Sequence, residues 1–180
     1  ATAAHAQVSA SVTLVSDDRY RGVSLSDGEP ALQLGVGFDA DSGAGIWSRS
    51  LGPFVSLPDG NIGPPGYKDI ADAIGILGTP VISPDKNVIY AVAMTREGNQ
   101  YYHRLHALDL ATGQQRLGGP VAIQRIVFGT GDGSTNGTLV FVSHLHNQRP
   151  ALLLVNNTIY VAFASYGDRD PYHGWVFGFD

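Results

Sequence analysis

Near the start of the chain, hydrophobic and polar positions alternate with period two. Val8, Ala10, Val12 and Leu14 fall on one face, and Ser9, Ser11 and Thr13 on the other, which predicts a strand. From Ala31 to Phe38 the alternation returns, with Leu32, Leu34, Val36 and Phe38 on one side and Ala31, Gln33 and two glycines opposite. After Arg49 the period is lost. Residues 51–76 carry four of the ten prolines, and Pro64-Pro65 exclude a central strand or a helix there. Lys68–Ile74 is expected to form at most one helical turn, capped by Asp69 or Asp72, within a linker or long surface loop. From Gly78 onward short apolar runs alternate with turns. Strands are predicted at Thr79–Ser83, Val88–Thr95, Tyr101–Leu108 and Gln114–Leu117, with turns at Pro84–Asn87 and Glu97–Asn99.

The pattern also repeats. Residues 78–109 return in degraded form at 149–180: Ile89-Tyr90 answers to Ile159-Tyr160 and Tyr102-His103 to Tyr172-His173 at an offset of 70, and Asp109 to Asp180 at 71. Repeats of this kind are sheets that bury their faces by stacking on one another. Two copies are too few to close a ring, so the chain reads as part of a larger assembly. The expected class is all-β, built of antiparallel meanders.

Composition narrows the function. Charged residues make up 15% of the chain and it holds 23 glycines, as expected of a turn-rich β protein rather than a disordered one. A net charge of -5 with no run of Lys or Arg argues against a nucleic-acid partner. The absence of cysteine excludes disulfides, thiolate catalysis and cysteine-based zinc sites. The opening ATAAHAQ places Ala4 and Ala6 in the A-x-A pattern read by signal peptidase. Residues 1–7 are therefore expected to be a leader remnant or a tail, on a protein of the periplasm, outer membrane or exterior.

Two resemblances sharpen the picture. In residues 8–49, Ser16, Asp17, Arg21, Gly22, Ser24, Ser26, Pro30, Ala31 and Gln33 resemble the start of a proteobacterial outer-membrane porin family, which implies a β-ribbon. Residues 107–117 are similar to the blade-ending A-x-D-x-x-T-G-x-x-x-W motif of quinoprotein-type (PQQ-like) β-propellers. Ala107, Asp109, Thr112 and Gly113 match, while Leu117 stands where the docking tryptophan belongs. That resemblance covers about residues 76–180 and implies two blades over 78–180, after a linker at 50–77. The Asp109 carboxylate is expected to accept from the backbone of the Thr112-Gly113 turn.

Candidate chemistry is sparse. His144 and His146 would share a face if they lie on a strand, offering two imidazoles to a metal; exposed loop histidines are the alternative. His103 and His106 fall on opposite faces. In GTGDGSTNG, residues 129–137, Asp132, Ser134 and Asn136 alternate as in calcium loops, but no distal glutamate follows, and no lysine makes it a P-loop. In GDRDPYHGW, residues 167–175, Asp168, Asp170, His173 and Trp175 read either as an acid/base surface site or as a turn with rings packed on the sheet. No G-x-S-x-G nucleophile is present. The expectation is a non-catalytic binding or structural module without cofactor, which associates through strand edges into a homo-oligomer or filament, with no transmembrane helix. Its broad face carrying Leu152, Leu154, Ile159, Val161 and Phe163 is expected to be partly uncovered. The alternatives are a quinoprotein oxidoreductase fragment, which would need calcium and PQQ, and a chimeric or truncated chain without native function.

Overall fold

The computed structural model describes the backbone of four strands before residue 45 and the whole chain from there on, with side chains from Ile46. The early strands are β1 (Gln7–Val15), β2 (Arg19–Tyr20), β3 (Val23–Ser24) and β4 (Ala31–Asp39). With β5 (Gly45–Ser50), β1 and β4 form an antiparallel sheet of order β1-β4-β5. Val8 lies opposite Phe38 and Leu14 opposite Leu32, so the two alternating runs meet face for face. Residues 1–6 of the expected leader remnant and the porin-type Ser16, Asp17, Arg21, Gly22, Ser26 and Pro30 positions lie outside the described residues, while Gln7 opens β1.

Among the described residues the chain is all-β with antiparallel sheets, none of them closed. Among the described residues no helix is long and apolar enough to cross a membrane, which says nothing of spanning by strands.

The centre of the molecule is β9 (Val88–Glu97), whose run VIYAVAMT is buried on both faces. Such a run has no polar face to give to water, so it must be covered twice. It sits between β8 (Val81–Ser83) and β10 (Gln100–Asp109), and β11 (Val121–Ala122) completes a four-stranded sheet. Gly98, at φ +61, and Asn99 make the two-residue turn between β9 and β10. The fourth strand is displaced from its expected place. Gln115 makes only a single bridge to Leu108, because Leu117 (φ +55) and Gly118 (φ +71) turn the chain before pairing resumes at Val121.

Next come the hairpin β12 (Ile126–Phe128) with β13 (Thr138–Val140), a 3-10 turn at Ser143–Leu145, and the second sheet. That sheet holds β14 (His146–Asn147), β15 (Leu153–Val155), β16 (Thr158–Ser165) and β17 (Trp175–Phe179). The two meanders share one register. Ile89 pairs with Ile82 and Leu108, as Ile159 does with Leu154 and Phe179. Tyr90 pairs with Val81 and Ala107, as Tyr160 does with Leu153 and Gly178. This places Leu108 against Phe179, an offset of 71, so the sequence match of Tyr102-His103 to Tyr172-His173 is not structural. The first pair lies within β10 and the second precedes β17.

The sheets stack through one core. Val88, Tyr90, Val92, Leu105 and Ala107 of the first meet Ile159, Val161 and Phe163 of the second, with Leu152, Ile123 and Phe141. The face of Leu152, Ile159, Val161 and Phe163, expected to be partly uncovered, is therefore the buried one. The period-two alternation identifies two faces but cannot say which a neighbour covers. The bare face is the other, carrying Leu153, Val155, Tyr160 and Val176, of which Val176 is 70% exposed.

The segment 51–76 is no solvent linker. Leu51 joins Ile89, Ala91, Ala93 and Leu108 in a second core. Val55, Ile62 and Ile74 form a third with Met94 and Tyr166. Two short strands, β6 (Val55–Ser56) and β7 (Ala73–Ile74), pair within the segment, which also accepts backbone hydrogen bonds from β9, Met94 N–H donating to Gly75 O (2.8 Å) and Arg96 N–H to Pro53 O (3.1 Å). The expected helical turn at 68–74 is absent, since Asp72 stands at φ +59 and β7 follows it directly. Its prolines remove periodicity, but its isolated apolar side chains still find the core.

Candidate functional site

Asp109 ends β10, and one carboxylate oxygen serves the turn that follows. Asp109 Oδ1 accepts from Ala111 N–H, Thr112 N–H and the Thr112 hydroxyl, each at 3.0 Å. Gly113 N–H donates to Asp109 O (2.8 Å), and Gly113 adopts φ +67. The Thr112 hydroxyl first, then the two backbone donors and Arg116, hold the carboxyl below its ordinary range. All of these hydrogen bonds go into shaping the corner.

The corner has an unexpected cover. Leu117 is exposed, whereas Trp47, on β5, lies over Gly113 and donates from its indole to Leu110 O (2.8 Å). A Cβ on Gly113 would fall 2.5 Å from the Trp47 ring. Gly113→Ala therefore combines a left-handed non-glycine residue with a steric clash, and is expected to cost about 1–3 kcal/mol. A denaturant melt followed by tryptophan fluorescence reads both the stability and the displaced indole; an unchanged midpoint would refute the contact.

The structure separates His144 from His146. The 3-10 turn at 143–145 breaks the strand on which they would have shared a face. His144 packs at 5.4 Å on the Tyr101 ring. His146 is buried rather than an exposed loop residue. Its Nδ1 faces Val142 O (2.7 Å), and a carbonyl only accepts, so Nδ1 carries the proton. Its Nε2 accepts from the Trp175 indole (3.1 Å). Both nitrogens are thus used, leaving no lone pair for a metal.

The two acidic loops meet across the fold. Within the β12–β13 connection Asn136 (φ +52) and Gly137 (φ +72) make a two-residue turn between the bridged Thr135 and Thr138, and Asp132 Oδ1 accepts from Gly133 N–H (2.9 Å). Asp132 O accepts from His173 Nε2 (2.7 Å). Asp168 Oδ1 accepts from the hydroxyls of Ser165 (3.1 Å) and Tyr172 (3.3 Å), closing the turn after β16. Asp170 is exposed ahead of Pro171, and Trp175 packs at 5.7 Å on Phe141. Among the described residues no three His, Asp or Glu side chains approach closely enough to hold a metal. A calcium and a quinone carboxylate need several convergent oxygens and cations. Asp132 and Asn136 lie in separate tight turns, Asp132 Oδ1 accepting from Gly133 N–H and Asn136 standing at φ +52.

One polar cluster was missed by sequence reasoning. Asp59 Oδ2 accepts from the Tyr101 hydroxyl (2.6 Å) and from Arg96 (3.0 Å), and Asn61 Nδ2 donates to the Tyr101 oxygen (3.1 Å). Burial would raise the Asp59 pKa, but Tyr101, Asn61 and Arg96 outweigh it and hold the carboxyl low. The only local signal is Asp59-Gly60-Asn61, a turn sequence; its partners lie some forty positions away. Beside it is a cleft of about 650 Å³ walled by Leu57, Pro58, Ile62 and Tyr67, with Arg169 donating to Gly60 O and Gly63 O. The cleft holds no nucleophile–base pair.

Residues 1–63 match a family described as "Bacterial protein of unknown function (Gcw_chp)". The match spans about a third of the chain and runs past Arg49 into the segment that buries Leu51, Val55 and Ile62. No curated protein and no solved structure matches the chain.

Proposed function

We propose that this chain is a non-catalytic, extracytoplasmic β-propeller-like binding and structural module that associates with itself. The blade reading is supported by two meanders of common register, stacked face to face, and by the Asp109-Thr112-Gly113 corner. The A-x-A pattern before Gln7 favours export. The candidate acids and imidazoles that have partners are engaged in turns and ring contacts, which favours binding over chemistry.

A single asymmetry carries the proposal. The first sheet is covered on both faces, by the second sheet and by the core of Leu51, while the second sheet has one apolar face bare. Leu153, Val155, Tyr160 and Val176 form it, with no charge among them. Phe128 (95% exposed), Ile126 and Val140 on the β12–β13 hairpin add apolar surface. An exposed apolar sheet face of this kind marks an interface, and an uncharged face does not repel its own copy.

Light scattering across a dilution series tests it. The expected mass exceeds 19.0 kDa and falls on dilution, and the pair Tyr160→Lys, Val176→Lys should shift the species to monomer. A monodisperse monomer throughout would end the self-association reading.

A further inference from the structure

The cleft beside Asp59 has fixed walls. Leu57, Tyr67 and Ile70 line it together with the buried Ile62. Tyr67 is held on three sides. A Cβ on Gly63 would fall 2.4 Å from its Cγ, one on Gly167 would fall 3.0 Å from its Cδ2, and the Tyr166 ring stands edge-on at 6.2 Å. Both glycines adopt positive φ (+67 and +62), which suits the close approach of the ring. A largely apolar cleft of about 650 Å³ with preset walls has the size and make-up of a small-molecule site.

Its charges are unbalanced. The charged lining residues are Asp59, Lys68, Asp72 and Arg169. Asp59 is already engaged by Arg96 and Tyr101. Arg169 is half-buried, and its Nη1 donates to Gly60 O (3.1 Å) and to Gly63 O (3.0 Å). Those bonds use both Nη1 protons and hold the guanidinium, while Nε and Nη2 have no partner among the described residues. That free edge is a fork matched to a carboxylate. Neither Arg169 nor the exposed Lys68 joins an ion pair among the described residues. Only the exposed Asp72 stands against these two cations, so positive charge is left over beside apolar surface.

We infer that this cleft binds a small organic monoanion, a carboxylate carried on a compact apolar body. The carboxylate pairs with the Nε–Nη2 edge of Arg169, Lys68 adds attraction, and the body covers Leu57, Ile62, Tyr67 and Ile70. Because two carbonyls already hold Arg169, little side-chain freedom is lost on binding. The acid is bound and released unchanged. The inference therefore rests on the binding-module reading, but not on self-association, which uses the bare face of the second sheet.

The test titrates the intact protein by calorimetry with cinnamate and octanoate, each against its neutral amide. At least one acid is expected to bind at micromolar to sub-millimolar concentration, about tenfold tighter than its amide. Tighter cinnamate assigns an aromatic body, and tighter octanoate an acyl chain. Arg169→Gln should abolish the advantage of acid over amide. Lys68→Glu, at an exposed site away from the clamp, should cut that advantage about threefold, and it carries the test if Arg169→Gln does not fold. Equal binding of acid and amide, an advantage unmoved by Lys68→Glu, or no binding of either acid at millimolar concentration would each overturn the inference. Mass and ligand affinity are separate readouts. A monomer that binds the acid would sink self-association and leave the cleft standing, and an oligomer that binds neither acid would do the reverse.

Discussion

Phe141→Ala is expected to destabilise the protein by about 3–5 kcal/mol, the range for emptying a large aromatic site in a core. Phe141 is buried where the two sheets meet the 141–147 segment. Its ring stacks on His146 at 4.9 Å and stands edge-on to Phe163 (4.8 Å), Phe177 (5.1 Å) and Trp175 (5.7 Å). Its backbone N–H donates to Arg125 O (2.9 Å), a bond that alanine would keep, so the loss measures the ring alone. Phe128→Ala, on an exposed phenylalanine of the same hairpin region, should stay within about 0.5 kcal/mol in the monomer. Chemical denaturation of both variants checks the contrast. A cost below about 1 kcal/mol at Phe141 would mean that the two sheets are not joined through this cluster.

Acidification is expected to destabilise the protein from about pH 6.5 downward, before its carboxylates begin to titrate. Burial, and then the neighbouring His146, lower the His103 pKa to about 3; burial, then Arg104 and Arg49, lower His106 to about 4. His103 stands edge-on to Phe163 (5.1 Å) and Phe141 (6.2 Å), and Gln115 Nε2 donates to His106 Nδ1 (2.6 Å). Above the ordinary value of 6.5 both rings are neutral in either state, and their stabilising effect is complete. As pH falls below it the unfolded chain binds protons that the folded chain refuses. Stability then declines by about 1.4 kcal/mol per pH unit for each ring until the folded pKa is reached. By about pH 4.5 the loss is several kcal/mol, comparable with the whole stability of a small domain. Asp59, Glu97 and Asp109, all held low, add a further loss once pH falls through their ordinary values, 4.5 for Glu97 and 3.8 for the two aspartates. Denaturant midpoints measured from pH 8 to 4 give the slope, to which His144 and His146, also held low by burial, add. His103→Leu should reduce it by one ring's share, about 1.4 kcal/mol per pH unit, whatever it does to stability at pH 8. A flat profile between pH 6.5 and 4.5 would show that these rings are hydrated.

Some of this was legible in the sequence because it is local. Period-two runs at 8–14 and 31–38 place strands, and Asp109-Leu110-Ala111-Thr112-Gly113 specifies a corner whose donors lie within four residues of the acceptor. The doubled Ile-Tyr at 89 and 159 announces two meanders of one register. Other features depend on residues far apart along the chain. A strand pattern divides residues into two faces but does not say which is covered, so stacking alone decided that Ile159 is buried and Val176 bare. The prolines of 51–76 hide any period, yet Val55, Ile62 and Ile74 are drawn to Met94 and Tyr166 because an isolated apolar side chain gains as much from burial as one in a repeat. His146 looked like half of a metal pair until a 3-10 turn and the Trp175 indole claimed its geometry. Asp59 with Tyr101 and Trp47 over Gly113 are both products of chain return. The sequence by itself thus determined the strands, the corner and the repeat, since these follow from backbone geometry and near neighbours. Only the tertiary structure decided which faces and imidazoles remain free, since a surface is free only when no distant segment packs on it.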